Sequence, residues 1–473
     1  MDFKNYTLKE LDTLVKEGKT THAEIRKYFL ERIGEYDGEL KAFNLVETDP
    51  EATGLPLAVK DIFCEVGVRT TAASKMLENF VPPYESTVTE RMKQAGFQSI
   101  GKTNMDEFAM GGSGENSAFA DTRNPWDTTR VPGGSSSGSA AAVAAGLIPA
   151  ALGTDTGGSI RQPASLCGIV GFKPSYGRNS RSGVIAMASS LDCPGYFTKN
   201  VEDAAWLYET TAGHDPKDAT SLEASTKIDE SIWKKQDLKG IKIGVPKEYF
   251  AEGIDAGVKK EIENTIELAR SLGAEIVDIS LPHTSLGISA YYIICPAEVA
   301  SNMARYDGIR FGEKADCPHD ISENRGEFIG DEVQRRSLVG SYVLSSGFYD
   351  AYYKKASAVR ELIREDFREA FETVDVILTP TVPNVAWKIG EKSDDPMALY
   401  IEDALTVPAS LAGIPGLVIP VGFSAPSDDE SQELPVGAQI LGPNLGEEKV
   451  FEVGNVLEKA LKEKIQKRHP KVW

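Results

Sequence analysis

The first part of the chain follows a helical pattern of apolar and polar positions. Residues 7–36 predict two helices, because Thr7 and Glu10 have the spacing of a capping box and apolar residues recur at helical intervals after Thr20. We expect residues 1–50 to form an N-terminal helical arm that packs on the core and carries no chemistry.

A buried strand is predicted next. Residues 54–60 begin with turn residues, continue with apolar ones and end at the charge of Lys60. Residues 85–96 then predict a helix that stops at a glycine, and residues 99–103 predict a short strand. The residues that follow, 104–113, are predicted to form a polar loop.

Strand and helix patterns alternate from residue 240 onward. The predicted elements are strands at 240–245, 275–279, 374–378 and 436–441, helices at 259–272 and 447–466, a helical stretch at 333–371 interrupted near 345–347, and a helix followed by a strand within 404–420. Residues 425–433 are polar and acidic, and we expect them to form an exposed loop with little or no order. The alternation predicts an α/β fold with helices on both faces of a sheet.

A stretch rich in glycine and serine is the most unusual part of the sequence. Two Gly/Ser clusters, residues 133–139 and 157–159, flank an alanine-rich segment at 140–145. Glycine lets backbone amides approach a ligand closely, serine supplies hydroxyl groups, and the alanines predict a thin helix that fits deep in a core. A flexible linker is not expected to continue into such apolar residues. The stretch therefore predicts an active site.

The charge balance argues against a chain that binds nucleic acid by itself. Lys and Arg number 51 against 71 Asp and Glu, which gives a formal net charge of −20. Such a charge repels nucleic acid and anionic membranes. A role with nucleic acid therefore requires a local basic patch or a partner that holds the polynucleotide, and we expect no membrane association.

The remaining composition indicates a cytoplasmic protein. Its 5 cysteines lack C-x-x-C spacing, which is typical of reduced cytosolic thiols, and its 5 histidines are too dispersed to favour a zinc site. No signal-peptide pattern opens the chain, and its longest apolar run, residues 140–152, is shorter than the ~20 residues of a spanning helix.

The Gly/Ser stretch suits hydrolysis of an amide or ester, but without a histidine base. No histidine lies between His22 and His214, and no G-x-S-x-G elbow surrounds Ser159. Lys60 is the alternative base if burial lowers its pKa, although a lone lysine at a strand end is more often a surface charge. A phosphate-binding loop has little support, because neither Walker A nor G-x-G-x-x-G is present.

Residues 132–146 and 152–164 resemble the signature of the amidase signature family. The order and spacing of Lys60, Ser135 and Ser159 are similar to those of the Ser–cis-Ser–Lys triad of that family. The resemblance implies that Ser159 is the nucleophile, that Ser135 is a bridging serine in a cis peptide, and that Lys60 is the neutral base.

The same resemblance implies the other parts of the site. The backbone amides of Thr156, Gly157 and Gly158, with that of Ser159, would form the oxyanion hole. One departure is Ser137, where the signature commonly has glycine. For the fold, the family implies one domain over residues 51–473 around a large mixed β-sheet.

Segments outside the signature are similar to the A subunits of glutamyl-tRNA(Gln)/aspartyl-tRNA(Asn) amidotransferases. These segments lie at residues 73–77, 84–88, 101–111, 172–178, 188–192, 346–356 and 405–416. The resemblance implies a glutaminase in which Arg336 and Asp403 hold the α-carboxylate and α-ammonium of glutamine. Arg335 is a near neighbour, and the sequence leaves open which arginine has this role.

The resemblance also implies the partners. The B subunit would hold the tRNA and use ATP and magnesium, the C subunit would complete a heterotrimer, and this chain would supply ammonia without a cofactor of its own. The specificity for Gln-tRNA, Asn-tRNA or both stays open. Two other interpretations remain: a stand-alone hydrolase of another small amide, and a catalytically silent scaffold.

Overall fold

The computed structural model describes residues 1–49, 53–250, 253–314, 320–392 and 395–473. The helices are α1 (Leu8–Lys16), α2 (His22–Leu40), α3 (Thr87–Gln94), α4 (Ser137–Ala144), α5 (Arg161–Cys167), α6 (Val201–Thr211), α7 (Ala256–Ser271), α8 (Gly287–Met303), α9 (Ile321–Phe328), α10 (Asp331–Leu344), α11 (Tyr353–Ala370), α12 (Pro396–Ile401), α13 (Val407–Ala412) and α14 (Glu447–Ile465). The strands are β1 (Phe43–Val46), β2 (Leu55–Lys60), β3 (Phe97–Thr103), β4 (Ala150–Asp155), β5 (Val170–Lys173), β6 (Cys193–Thr198), β7 (Lys242–Pro246), β8 (Glu275–Ile279), β9 (Val376–Pro380), β10 (Gly416–Ser424) and β11 (Leu434–Leu441). Short 3-10 helices lie at Phe3–Asn5, Lys75–Leu77, Glu107–Ala109, Glu230–Lys234, Lys247–Phe250 and Thr284–Leu286.

One mixed sheet joins the strands of the described residues. It has 11 strands in the order β1-β3-β2-β4-β6-β5-β10-β11-β9-β7-β8. The β2–β3, β2–β4, β7–β8 and β7–β9 pairs are parallel, whereas β4–β6, β5–β6, β5–β10, β10–β11 and β9–β11 are antiparallel. The predicted α/β class and the large mixed sheet are therefore confirmed.

Helices cover both faces of this sheet. Neighbouring residues of a strand point to opposite faces. In β10, Gly416 faces the Arg161 side chain of α5, whereas Leu417 faces Gly454 of α14. Helices on both sides bury the apolar residues of the central strands, and this explains why β2, β4, β5, β6 and β11 are buried along their whole length.

The N-terminal helices pack on the rest of the chain. The predicted capping box at Thr7 begins α1, and a second capping box, which the sequence analysis does not predict, begins α2 at Thr21. Buried Arg32 of α2 donates hydrogen bonds to the carbonyls of Gly146 and Ala145 after α4. The predicted arm boundary between residues 50 and 51 lies outside the described residues.

The two predicted loops have different outcomes. Residues 104–113 are largely buried and include a 3-10 helix, because their polar side chains bond to the protein instead of to solvent. The acidic loop 425–433 is anchored, since Asp428 accepts two hydrogen bonds of 2.9 Å from buried Arg130. This loop is largely exposed, as predicted, and the charge pair joins it to the core over a long sequence separation.

Candidate active site

Two parallel strands bring the first candidate residues together. β2 pairs with β4 through Ala58–Ala151 and Val59–Leu152, so the carboxyl ends of both strands meet at one edge of the sheet. Lys60 ends β2, and Asp155 ends β4. Ligand sites of open α/β sheets commonly lie at such an edge.

Lys60 is buried among hydroxyl groups. Its Nζ lies 2.8 Å from Ser135 Oγ, 2.8 Å from Ser136 Oγ and 2.9 Å from Thr154 Oγ1. A protonated lysine has three N–H donors, and these three hydroxyls accept all of them. A neutral Lys60 would instead have a lone pair that can accept a proton from one of them.

The surroundings of Lys60 favour its neutral form. The side chain is fully buried. Burial lowers its pKa to about 7, although the carboxylates of Asp106, Asp155 and Asp192 act in the opposite direction. A base with a pKa near neutrality is well suited to proton transfer at physiological pH.

Ser135 lies in the loop that leads into α4. Its side chain is fully buried, and the peptide bond between Gly134 and Ser135 is cis, the conformation that the family resemblance implies. The Ser135 carbonyl accepts a 3.1 Å hydrogen bond from the Asp106 backbone amide. Ser137, the departure from the signature, begins α4 and pairs with the Thr122 hydroxyl at 3.1 Å.

A buried ion pair fixes the turn between β4 and α5. Asp155 and Arg161 flank this turn, are both fully buried and are joined at 2.9 Å. Arg161 also donates to the Thr406 carbonyl at 2.9 Å and to Gln439 at 2.6 Å. Burial acts to raise the pKa of Asp155, but Arg161 lowers it below its usual value, so the carboxylate stays ionised.

The turn itself, residues 156–159, presents unpaired amides. Across the described residues, no carbonyl or side chain accepts a hydrogen bond from these four backbone N–H groups. The Thr156 hydroxyl donates to Asp192 at 2.8 Å, which fixes the start of the turn. Adjacent free amides of this kind can stabilise a developing oxyanion.

Ser159 ends this turn. Its side chain is 8% exposed, so it is reachable but mostly enclosed. In the described chain its hydroxyl forms no hydrogen bond with Ser135, whose Oγ is held by Lys60. The structure thus joins Lys60 and Ser135 directly and leaves the Ser159 hydroxyl free beside the unpaired amides.

The two glycines of the turn lie against side chains. A Cβ on Gly158 would lie 2.3 Å from Thr406 Oγ1, and one on Gly157 would lie 2.8 Å from the Tyr291 hydroxyl. We expect Gly158→Ala to displace the turn and so move its free amides away from a developing oxyanion. The kcat for amide hydrolysis should then fall by about 10²-fold, the usual effect of losing an oxyanion donor. Steady-state assays of ammonia release measure this effect.

The matched control for Gly158→Ala is Gly326→Ala. Gly326 lies in α9 with no heavy atom within 4 Å of an added Cβ, and its φ lies outside the left-handed region. This variant should retain wild-type kcat. A Gly158→Ala enzyme as fast as the control would show that the turn accommodates a side chain without harm.

A second cluster contains Arg336, from α10. Its buried guanidinium donates through Nε to Glu332 at 2.7 Å and lies 5.3 Å and 5.5 Å from the ring centroids of Tyr292 and Tyr400. Those two rings are stacked at 3.8 Å. Arg335 also pairs with Glu332, but its side chain is 45% exposed. Of the two arginines, Arg336 is the one enclosed by the tyrosines.

Asp403 links this cluster to the Gly/Ser turns. Its Oδ2 accepts a 2.8 Å hydrogen bond from the Tyr292 hydroxyl, and burial raises its pKa to about 6. Its Oδ1 faces Gly112, whose carbonyl accepts from Gln162 Nε2 at 2.6 Å. Gln162 Oε1 in turn accepts from the Gly134 amide at 2.9 Å, next to Ser135.

Several members of the site are absent from the sequence-based set. They are Asp106, Ser136, Thr154, Asp155, Arg161, Gln162, Asp192, Tyr291, Tyr292, Glu332 and Tyr400. Ser136 and Thr154 are foreseeable, because both lie within the Gly/Ser segments that mark the site. The tyrosines carry no local signal, since distant helices bring them to Arg336.

The described residues contain no group of three or more His, Cys, Asp or Glu side chains arranged to hold a metal ion. Within the same residues, no helix has the length and apolar character needed to cross a membrane. Of the 5 cysteines, Cys64, Cys167, Cys193 and Cys295 are free and buried, whereas Cys317 lies outside the described residues.

Comparison with known proteins gives consistent results. The family described as Amidase matches residues 6–451. Over 484 aligned residues, covering 98% of both chains, the sequence is 49% identical to the A subunit of the glutamyl-tRNA(Gln) amidotransferase of Thermoanaerobacter pseudethanolicus. The protein of the same name from Thioalkalivibrio sulfidiphilus is also 49% identical, over 95% of this chain and 96% of its own length.

Solved structures agree with these relatives. The A subunit of the glutamyl-tRNA(Gln) amidotransferase of Thermotoga maritima has a TM-score of 0.83 at 42% identity, covering 97% of this chain and 95% of its own. The peptide amidase PAM, in complex with chymostatin, has a TM-score of 0.83 at 27% identity, covering 99% of this chain and 100% of its own. The fold is therefore shared by proteins whose names differ in substrate.

Proposed function

This chain belongs to the amidase family, and we propose that it is the glutamine-hydrolysing A subunit of a tRNA-dependent amidotransferase. The observation that carries the chemistry is the fully buried Lys60 amine, bonded to Ser135 beside a turn that ends in Ser159. The relatives that are named as A subunits, and that align with this chain over nearly their whole length, support the choice among amidases.

The first step of the proposed reaction forms an ester. Ser159 Oγ attacks the side-chain amide carbon of glutamine, and its proton passes through Ser135 to neutral Lys60. The 2.8 Å contact between Lys60 Nζ and Ser135 Oγ supports the second part of this relay. The negative charge that develops on the amide oxygen is stabilised by the free amides of residues 156–159.

The intermediate then collapses and is hydrolysed. The carbon–nitrogen bond breaks, the proton held on Lys60 returns through Ser135 to the leaving nitrogen, and ammonia departs. The γ-glutamyl ester left on Ser159 is attacked by water, which gives its proton to the same relay. Glutamate leaves, and Ser159 and neutral Lys60 are regenerated.

Two oppositely charged groups fit the amino-acid end of glutamine. We assign the α-carboxylate to the Arg336 guanidinium, whose Nε is held by Glu332 while its terminal nitrogens donate to no partner among the described residues. We assign the α-ammonium to Asp403, which the Tyr292 hydroxyl orients. A planar guanidinium suits a carboxylate because both can pair through two parallel hydrogen bonds.

Replacing Arg336 distinguishes a glutaminase from a hydrolase of another small amide. We expect Arg336→Ala to raise KM for glutamine by about 10- to 100-fold, the loss of hydrogen bonds to a charged group. Hydrolysis of butanamide, which lacks both α-substituents, should barely change. Ammonia release from each amide provides the measurement.

Arg335→Ala is the matched control, because Arg335 pairs with the same Glu332 but is half-exposed. It should affect glutamine hydrolysis only weakly. A stand-alone amidase with another substrate predicts equal effects of Arg336→Ala on both amides. Equal loss in the two arginine variants would instead contradict the assignment of the carboxylate to Arg336.

The remaining steps belong to partner proteins in this proposal. The B subunit binds the tRNA, uses ATP and magnesium and consumes the ammonia, and the C subunit completes a cytoplasmic heterotrimer. The formal net charge of −20 suits a chain that does not grip tRNA unaided. Amidation assays of the assembled complex with Glu-tRNA(Gln) and Asp-tRNA(Asn) distinguish the two specificities.

A further inference from the structure

Two adjacent acidic residues, Asp106 and Glu107, lie at the start of the 3-10 helix Glu107–Ala109 and bond to different parts of the chain. The Asp106 carboxylate accepts hydrogen bonds from the backbone amides of Gly114 and Asn116, at 3.1 Å and 3.0 Å. Its own backbone amide donates to the Ser135 carbonyl. Asp106 is therefore part of the packing around the bridging serine.

Glu107 reaches instead to the start of α10. Its Oε2 accepts a 2.8 Å hydrogen bond from the Gly330 amide, and its Oε1 accepts one from the Ser74 hydroxyl. The Glu107 side chain is buried. A Cβ on residue 330 would lie 2.5 Å from Glu107 Oε2, so glycine is what allows the carboxylate to come this close.

The carboxylate takes the place of a helix cap. Gly330 is the N-cap residue of α10 and provides no side-chain cap of its own. The first amides of a helix need acceptors. Glu107 supplies one for the Gly330 amide, although it lies more than two hundred positions earlier in the chain.

The helix that Glu107 caps, α10, carries Arg336. We call the site formed by Arg336, Asp403, Tyr292 and Tyr400 the amino-acid pocket, because it is the one proposed to hold the amino-acid end of glutamine. Glu332, in the first turn of α10, binds Arg336 Nε at 2.7 Å and accepts from the Tyr400 hydroxyl at 2.8 Å. A shift of the first turn would move this carboxylate and the guanidinium that it holds. The position of Arg336 thus depends on how α10 begins.

We propose that Glu107 is a positioning residue that sets α10, and with it Arg336, relative to the Lys60–Ser135 relay. It acts through the Gly330 amide and not on the reacting atoms. Asp106, the residue before Glu107, bonds to the Ser135 carbonyl. Two adjacent residues therefore connect the amino-acid pocket to the relay. This inference rests on the proposed function in taking Arg336 as the carboxylate-binding group.

Glu107→Ala and Glu107→Gln form the test pair, in the full chain purified with its partners. Alanine removes the acceptor for the Gly330 amide, whereas glutamine keeps a carbonyl oxygen in its place. We expect Glu107→Ala to raise KM for glutamine about tenfold, because a helix start that has lost its cap is less well held and lets Arg336 shift, and to leave kcat within about threefold. Glu107→Gln should stay close to wild type.

Two further measurements separate positioning from general damage. The rate at which phenylmethanesulfonyl fluoride labels Ser159 requires the relay but not Arg336, and it should be unchanged in both variants. Hydrogen exchange should accelerate at residues 331–336 in Glu107→Ala and stay constant at residues 137–144. Glu78→Ala, which removes an exposed carboxylate, is the control and should match wild type throughout.

Three results would overturn the proposal. They are an unchanged KM in Glu107→Ala, a parallel loss of glutamine hydrolysis and Ser159 labelling, and a Glu107→Gln defect as large as that of alanine. Failure of the proposed function looks different, because the wild-type complex would then release no ammonia from glutamine. In that case the exchange rate at residues 331–336 still decides whether Glu107 holds α10.

Discussion

Ammonia release from glutamine should disappear when Ser159 is replaced by alanine, with a loss of at least ~10³-fold in kcat. In the proposed mechanism the variant lacks the oxygen that forms the γ-glutamyl ester, and the neighbouring amides alone can only polarise the substrate. Coupled assays of ammonia measure the loss. Mass spectrometry of enzyme quenched during turnover should show the acyl adduct in wild type and not in the variant.

Ser271→Ala provides the control for this experiment. Ser271 ends α7 and is exposed, and among the described residues its hydroxyl bonds only to the nearby Leu268 carbonyl, so its removal should not alter the rate. Undiminished ammonia release by Ser159→Ala would remove Ser159 from the mechanism. A wild-type enzyme that forms no acyl adduct with any amide would favour the catalytically silent scaffold.

The sequence predicts the relay mainly through its resemblance to the amidase signature. Ser135 and Ser159 lie in conspicuous Gly/Ser clusters, whereas Lys60 at the end of an apolar strand is a weak signal by itself. The structure explains why these signals coincide, since β2 and β4 are parallel neighbours that end at one edge. The order of the other strands in the sheet has no comparable local signal in the sequence.

The amino-acid pocket could not be assembled from sequence patterns alone. Arg336 is assigned by family resemblance, and its neighbours Tyr292 and Tyr400 come from α8 and α12. No amphipathic pattern marks α8, because its apolar residues are not confined to one face and Pro296 lies inside it. Contacts between distant helices therefore define this pocket, and periodicity does not report them.

The choice between Arg335 and Arg336 shows the same limit. The two residues are adjacent and chemically identical, so the sequence offers no means of separating them. In the structure, the helical rotation between neighbours buries Arg336 against two aromatic rings and leaves Arg335 partly in solvent. Burial supports Arg336 as the ligand of a substrate carboxylate, since a desolvated ion pair is stronger than an exposed one.

A base other than histidine makes the pH dependence informative. Burial lowers the pKa of Lys60 to about 7, and only the neutral amine can accept the proton from Ser135. The kcat/KM for glutamine should therefore rise with pH, about tenfold per unit below pH 7, and level off above it. The direction follows from deprotonation of the base, because the inactive form is the protonated one.

Lys60→Arg should abolish the rise of kcat/KM with pH and most of the activity. Arginine stays protonated at every pH at which the protein is folded, so it cannot act as the base, and a loss of about 10²- to 10⁴-fold is expected. Lys75→Arg, at an exposed position, is the control and should retain the wild-type profile. If Lys60→Arg kept the same pH–rate profile as wild type, another group would have to accept the proton. The groups that contact the Lys60 amine directly in the described site are three hydroxyls, and none of them is a base near neutral pH.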